Sequence, residues 1–293
     1  MNRRIGNIIT ILVVATVHSS QADDLPDLDT PALGVKVVAV ADALDAFKDD
    51  KIELPTKIGV ILVHVESHGP AANASLRRMD VVTRVNRQLM RTTEDFTTAV
   101  SLLTIGKEYV VEGYRATDVR GKISWTKGKV KVSPVSLRDV FVNAMREKKD
   151  DVSGITSYRH RDTTEFVNSR SEVYCYFLTS TAAKPSLRFH VQYVADDWLF
   201  IKRFTLKADE ETFTLNVAGI RDVERDNSGG KIWEWHDRPV GSTERRMLNV
   251  IAKSKRVLLR CEGDQYKKDR ELSDTELDRI RTVLIAYQIM GGE

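Results

Sequence analysis

The chain has 293 residues, enough for about two domains at roughly 150 residues each. Apolar residues make up 42% and charged residues 30%, which excludes a mostly disordered or collagen-like protein. The net charge is +3, from 45 basic and 42 acidic side chains; setting aside Arg3 and Arg4 leaves 43 against 42, a near-neutral body with nothing to draw DNA or RNA.

Arg3 and Arg4 precede an apolar run, Ile5 to Val17, broken only by Gly6, Asn7 and two threonines, and small residues follow at Ser20 and Ala22. That order is the charged, apolar and small-x-small sequence of a secretory signal peptide over residues 1–22. The run is short for a bilayer span, and no other stretch is apolar enough, so no membrane span is expected in a mature chain starting near Asp23. The expected location is secreted or periplasmic. Asp23 to Thr30, acidic and Pro-containing, reads as a flexible lead-in. Export would permit a disulfide between Cys175 and Cys261, both in strand-like runs. Two separate buried thiols are the alternative, since a bridge needs Cα atoms within about 7 Å.

In the N-terminal half, Leu33-Gly34-Val35 opens a strand, Val35 to Val40, followed by a helix-compatible stretch, Ala41 to Lys48. Ile58 to Val65 and Val81 to Val85 read as strands, separated by a turn at Ser67-His68-Gly69-Pro70 and a small-residue stretch, Ala71 to Ala74. Thr92 or Thr93 can cap a helix carrying Phe96, Val100 and Leu103, ended by Gly106. Tyr109 to Arg115 resumes the strand pattern, and Ile123–Trp125 with Lys129–Val132 predict a hairpin about Lys127-Gly128.

This order of residues, over about 31–133, resembles a PDZ domain of the bacterial type attached to HtrA-like proteases. The matching pieces are Leu33-Gly34-Val35, Gly69-Pro70-Ala71, Leu76, Asp80-Val81-Val82, Val85-Asn86 and the helix ending at Gly106. Where the family usually has glycine, this chain has Ser75, Met79 and Arg87, so a changed backbone is expected at those turns. The resemblance implies capture of a partner's extended C terminus as an added strand. It implies a carboxylate loop at Leu33, Gly34 and Val35, a groove along Val35 and Val37, and a facing wall from Thr97 and Val100. No Ser/His/Asp order or Gly-x-Ser-x-Gly elbow accompanies it, so no catalytic residues are expected.

Ser133-Pro134 reads as a joint, and Leu137, Val140, Phe141, Ala144 and Met145 as a helical linker spanning 134–150. Strands are then expected at Ile155–His160, Thr163–Asn168, Glu172–Leu178, Leu187–Val194, Trp198–Leu206, Thr212–Val217, Ile232–Trp235 and Arg256–Cys261. Helices are expected over Glu244–Ser254 and after the capping box Ser273-Asp274-Thr275-Glu276. The fold class is therefore α+β, mainly β: a PDZ-like, partly open barrel with helices, then a β-sandwich-like domain, 151–293, with two late helices. The run Tyr193 to Ile201 resembles a β-rich domain of secreted bacterial proteins of unknown role.

Other clusters carry bland readings. His64 and His68, with Glu66 pointing the other way, read as surface histidines rather than a metal site. Asp222, Glu224 and Asp226 read as a solvated strand face before a hairpin at Asn227–Gly230. Asp196-Asp197 reads as a tight turn, Trp233 and Trp235 as core, and Arg159-His160-Arg161 and Lys267-Lys268 as surface. No metal or cofactor is expected. The leading expectation is an exported, non-catalytic binding or scaffold protein whose partner is a protein or peptide C terminus. The alternatives are a secreted hydrolase acting on carbohydrate or peptide through its C-terminal domain, and a structural envelope protein with a closed groove.

Overall fold

A computed structural model of the protein describes residues 27–49, 52–119, 122–217, 219 and 222–293. The signal-like segment 1–22 and residues 23–26 of the lead-in lie outside the described residues. The chain divides into two compact units, 1–144 and 145–293.

The first unit runs β1 (Pro31–Ala32), β2 (Val35–Ala39), α1 (Val40–Asp49), β3 (Val60–Val65), α2 (Pro70–Asn73), β4 (Val81–Val85), β5 (Gln88–Leu89), α3 (Thr93–Ser101), β6 (Tyr109–Val119), β7 (Lys122–Val132), β8 (Val135–Ser136) and α4 (Leu137–Asn143). Its main sheet is open and antiparallel, in the order β2-β3-β4-β6-β7, with β5 on β4 and a separate β1–β8 pair. Alternation sends successive side chains to opposite faces. Val37 joins Leu62, Val82, Phe96 and Val100 in one core, and Val38 joins Ile61, Val81, Ala43 and Phe47 in another. The sheet is thus buried on both faces, by α3 on one side and α1 on the other.

Two expectations change here. The hairpin is not at Lys127-Gly128: β7 runs through it, and Gly128 pairs with Gly113. Gly113 sits so close beneath β4 that a Cβ there would lie 1.9 Å from the Val81 carbonyl oxygen, so this crossing, rather than a turn, requires the glycine. Nor is 134–150 a helical linker: α4 packs within the first unit, and from Met145 the chain is strand. Leu137 N and Arg138 N donate to the Thr30 and Leu28 carbonyls at 2.9 and 3.0 Å, tying down the end of the segment read as a flexible lead-in.

At the three positions where the family has glycine, the backbone is one that suits glycine. Ser75, Met79 and Arg87 hold φ of +64°, +75° and +70°, the left-handed conformation that glycine adopts without strain. Asn86-Arg87, at φ +47° and +70°, forms the two-residue turn joining β4 to β5. The strain is therefore retained and carried by the surrounding bonds. Ser75→Gly and Arg87→Gly, both exposed positions, should each stabilise the unit by about 1 kcal/mol in urea unfolding. A loss of stability in both would show that these residues adopt another conformation in solution.

The second unit runs β9 (Met145–Asp150), β10 (Ile155–His160), β11 (Glu172–Thr179), β12 (Ser186–Ala195), β13 (Arg203–Ala208), β14 (Glu211–Asn216), β15 (Glu224–Ser228), β16 (Lys231–Pro239), α5 (Ser242–Lys253), β17 (Val257–Glu262), β18 (Lys267–Glu271) and α6 (Asp274–Ile289). Two antiparallel sheets result, β15-β16-β12-β11-β10-β9 and β14-β13-β17-β18. The fold is mainly β, with open sheets and late helices, and neither sheet closes into a barrel. On β11, Cys175 and Phe177 pack on α6, with Phe177 meeting Tyr287 edge-on at 5.7 Å.

Two expected strands give way to loops. Residues 163–168 form no strand, because Thr164 N and Oγ1 donate to the buried Glu172 carboxylate at 3.0 and 2.7 Å. Likewise the strand expected from Trp198 begins only at Arg203. Leu199 N, Phe200 N and Ile201 N donate to Glu234 at 2.8, 3.0 and 2.8 Å, so they are withdrawn from any ladder. Among the described residues, no helix is long and apolar enough to cross a membrane.

Candidate functional site

β2 is an edge strand: among the described residues only β3 pairs with it. Gly34 O accepts from Glu66 N at 2.8 Å, and Val40 N donates to Gly59 O at 2.9 Å, so these positions face β3. The antiparallel alternation then turns the N–H and C=O groups of Val35, Val37 and Ala39 to the outer edge.

The loop before β2 has a matching polarity. Leu33 O accepts from Ala71 N at 3.0 Å, and Gly34 O from Glu66 N. A trans peptide plane carries its N–H opposite its C=O. Both carbonyls therefore point into the domain, and the N–H groups of Gly34 and Val35 point out of it, side by side. Two such donors have the geometry of a backbone nest. Gly34 is held at φ +70°, and a Cβ there would lie 3.3 Å from Glu66 Cβ and 3.4 Å from Val140 Cγ1. Val140 lies on α4, so the loop is braced by residues that the sequence pattern had assigned to a linker; their apolar spacing was visible, but not what they packed on.

The side-chain wall is shallow. α3 is opened by a reciprocal cap, with Asp95 N donating to Thr92 Oγ1 at 3.0 Å and Thr92 N to Asp95 Oδ2 at 3.1 Å. Val37 is fully buried and Val100 is 8% exposed, both within the core. Val35 and Thr97 are half-buried, and the Thr97 hydroxyl donates to Thr93 O at 2.7 Å within its own helix. This edge therefore offers main-chain groups more than side-chain pockets. A cleft of about 260 Å³, lined by His68, Gly69, Pro70, Val135, Val140 and Asn143, lies behind the loop; neither β2 nor α3 contributes to it.

The remaining clusters resolve individually. Glu66 does not point away from His64 as expected: residues two apart on a strand share a face, and His64 Nε2 lies 3.5 Å from Glu66 Oε2. His68 stands in a turn at φ +68°, and neither histidine belongs to a group of three metal-ligating side chains among the described residues. Glu224 and Asp226 are exposed on β15 before the Gly229-Gly230 turn, and Asp222 precedes the strand, its Oδ2 accepting from Gly219 N. Asp196 pairs with Lys231 beside the bend at Asp197. Trp233 is buried and Trp235 half-buried. In the stretch read as a basic surface cluster, His160 is buried and accepts from Asp162 N, because the chain turns back on it there. Cys175 and Cys261 are free and buried, so the bridge is not formed. They stand on strands of different sheets, and Cys175 Sγ meets the Ile280 carbonyl instead. Burial pushes both thiols up to about 12, which keeps them protonated and unreactive at neutral pH.

The second unit holds buried carboxylates that make it acid-sensitive. Burial alone would raise Glu172, Asp237 and Glu276, yet each is held below its ordinary value. Bonds from Thr164 and Arg170 outweigh burial at Glu172, those from His190 and Tyr176 at Asp237, and those from Arg270 at Glu276. A depressed carboxylate stabilises fully above its unfolded value, near 4, and loses that contribution as pH falls through its folded value. Burial also lowers His236, whose Nε2 is buried without a partner among the described residues, so stability begins to fall below about pH 6.5. Calorimetry should show the melting temperature of this unit flat from pH 8 to 7, declining below 6.5, and lower by about 10 °C below pH 4. A profile flat to pH 3.5 would contradict this electrostatic account.

Residues 31–131 match the sequence model of the PDZ domain family. Among solved structures, the chain is similar to the HtrA3 PDZ domain bound to a phage-derived ligand, FGRWV, at 14% identity and TM-score 0.27, over 36% of this chain and 84% of that one. It is also similar to the HtrA-type protease AlgW with a decapeptide, at 19% identity and TM-score 0.30, over 36% of this chain and 29% of that one. No curated protein matches the chain. Edge strand, inward-facing carbonyls and family match together define residues 31–131 as a PDZ domain. The second unit lies outside that match.

Proposed function

We propose that this protein is an exported, non-catalytic binding protein whose PDZ domain captures the free C terminus of a partner polypeptide. The incoming strand adds to the outer edge of β2, pairing with Val35, Val37 and Ala39. Its terminal carboxylate sits on the N–H groups of Gly34 and Val35, and Thr97 flanks its side chains. The observation that carries this reading is the pair of inward carbonyls at Leu33 and Gly34, which leaves two adjacent donors turned outward beside a strand edge that no strand among the described residues pairs with. Export rests on the signal-like order of residues 1–22. Isothermal titration of a library of free C-terminal peptides, each with its amidated twin, tests the capture. Detection of the native protein in a cell fraction, with its N terminus read by mass spectrometry near Asp23, tests export.

A further inference from the structure

On β11, Cys175 and Phe177 face α6, so Tyr174 and Tyr176 occupy the opposite face of the six-stranded sheet. Arg188, His190 and Asp237 lie on that same face, in register with the tyrosines. Arg188 is fully engaged: its Nε donates to Asp237 Oδ1 at 2.7 Å and to Tyr176 Oη at 2.9 Å. Arg159 is not. Its guanidinium lies over the Tyr174 and Tyr176 rings, 5.1 and 4.9 Å from their centroids, and among the described residues no acceptor or acid is bonded to it.

Directly across the β9–β10 pair stands a second arginine, Arg146. Its one hydrogen bond, to the Thr163 carbonyl, is long at 3.5 Å, and no acid pairs with it among the described residues. Thr163 itself is 3% exposed, and its buried hydroxyl has no partner there. Like charges directly opposite each other on a sheet are destabilising, and both arginines are half-buried, where water screens them less. Two guanidinium groups borne by directly opposed residues of neighbouring strands, each with donors to spare, call for an anion. We infer that Arg146 and Arg159 form a binding site for an oxyanion of the carboxylate or phosphate type, with the Tyr174–Tyr176 shelf fixing the plane of Arg159. A guanidinium fork matches the paired oxygens of either group.

The test is a titration of the full chain with inorganic phosphate and, separately, acetate, followed by the arginine Nε–H resonances and by calorimetry. Saturable binding of one equivalent is expected, shifting the Arg146 and Arg159 signals and raising the melting temperature of the second unit. The tighter of the two probes identifies the anion type. Arg146→Gln and Arg159→Gln should each weaken binding by about tenfold or more, and Arg159→Lys, which keeps the charge but not the fork, by less. Should either glutamine variant fail to fold, the wild-type resonances decide alone. Absence of saturable binding, or affinity unchanged in both variants, overturns the site.

Discussion

Amidating the C terminus of a peptide that binds this protein should weaken it by about 100-fold, the equivalent of losing charge-assisted bonds to two backbone N–H groups. The size of the effect follows from the geometry of the loop. Leu33 and Gly34 turn their carbonyls to Ala71 N and Glu66 N, so the outward donors at Gly34 and Val35 are fixed before any ligand arrives. Gly34→Ala should reproduce the loss on the protein side. At φ +70°, alanine costs about 1–2 kcal/mol, and its Cβ would press on Glu66 and Val140 at 3.3 and 3.4 Å, so the loop must shift. Gly106→Ala is the matched control: the glycine has φ +79° with open space around its Cβ position, so a similar stability cost should leave peptide affinity unchanged. Equal affinity for free-acid and amidated peptides would remove the carboxylate nest, whatever the fate of the variants. No binding by any peptide in the library would remove the groove.

The strand and loop of this site were legible because each part has a local signature. Leu33-Gly34-Val35 places a glycine where the backbone must be left-handed, and Val35, Val37 and Val38 supply the β-branched residues of a strand. The backbone at Ser75, Met79 and Arg87 was not legible. Local propensity argues for a changed turn there, but around Ser75 and Met79 a network of bonds holds it: Asp80 accepts from Arg77 N at 3.0 Å and from Arg115 at 2.9 Å, and Arg115 also reaches the Ser75 carbonyl, while at Arg87 the carbonyl accepts from Arg84 at 3.0 Å. β9 was misread for the opposite reason. Met-Arg-Glu-Lys-Lys-Asp at 145–150 is a charged run that resembles a solvated helix end, yet charged residues also suit an edge strand, where they deter pairing with other chains. The arginine pair at 146 and 159 was invisible because only the β9–β10 register brings the two together.

Glu234→Gln should be the most damaging single change in the second unit, costing about 3–5 kcal/mol and lowering its melting temperature by about 10 °C or more. Alternation places Glu234 between Trp233 and Trp235 and makes it look solvent-facing, but it is fully buried. Its Oε1 accepts from Leu199 N and Phe200 N at 2.8 and 3.0 Å, and its Oε2 from Ile201 N at 2.8 Å and Arg225 Nε at 3.0 Å. A glutamine presents an NH2 group to one pair of donors whichever way it is turned, and it leaves Arg225 without its anion. Those bonds also hold Phe200 at φ +53°, a conformation that a bulky side chain rarely adopts. Released from them, Phe200 should relax and part from Trp198, on which it stacks at 5.8 Å. Tryptophan fluorescence should therefore change even below the unfolding transition, while Glu224→Gln, on the exposed β15, should stay within about 0.5 kcal/mol of wild type. A Glu234→Gln variant that melts within 2 °C of wild type, about the yield of a single kcal/mol, would show that water satisfies these donors and that the loop holds itself.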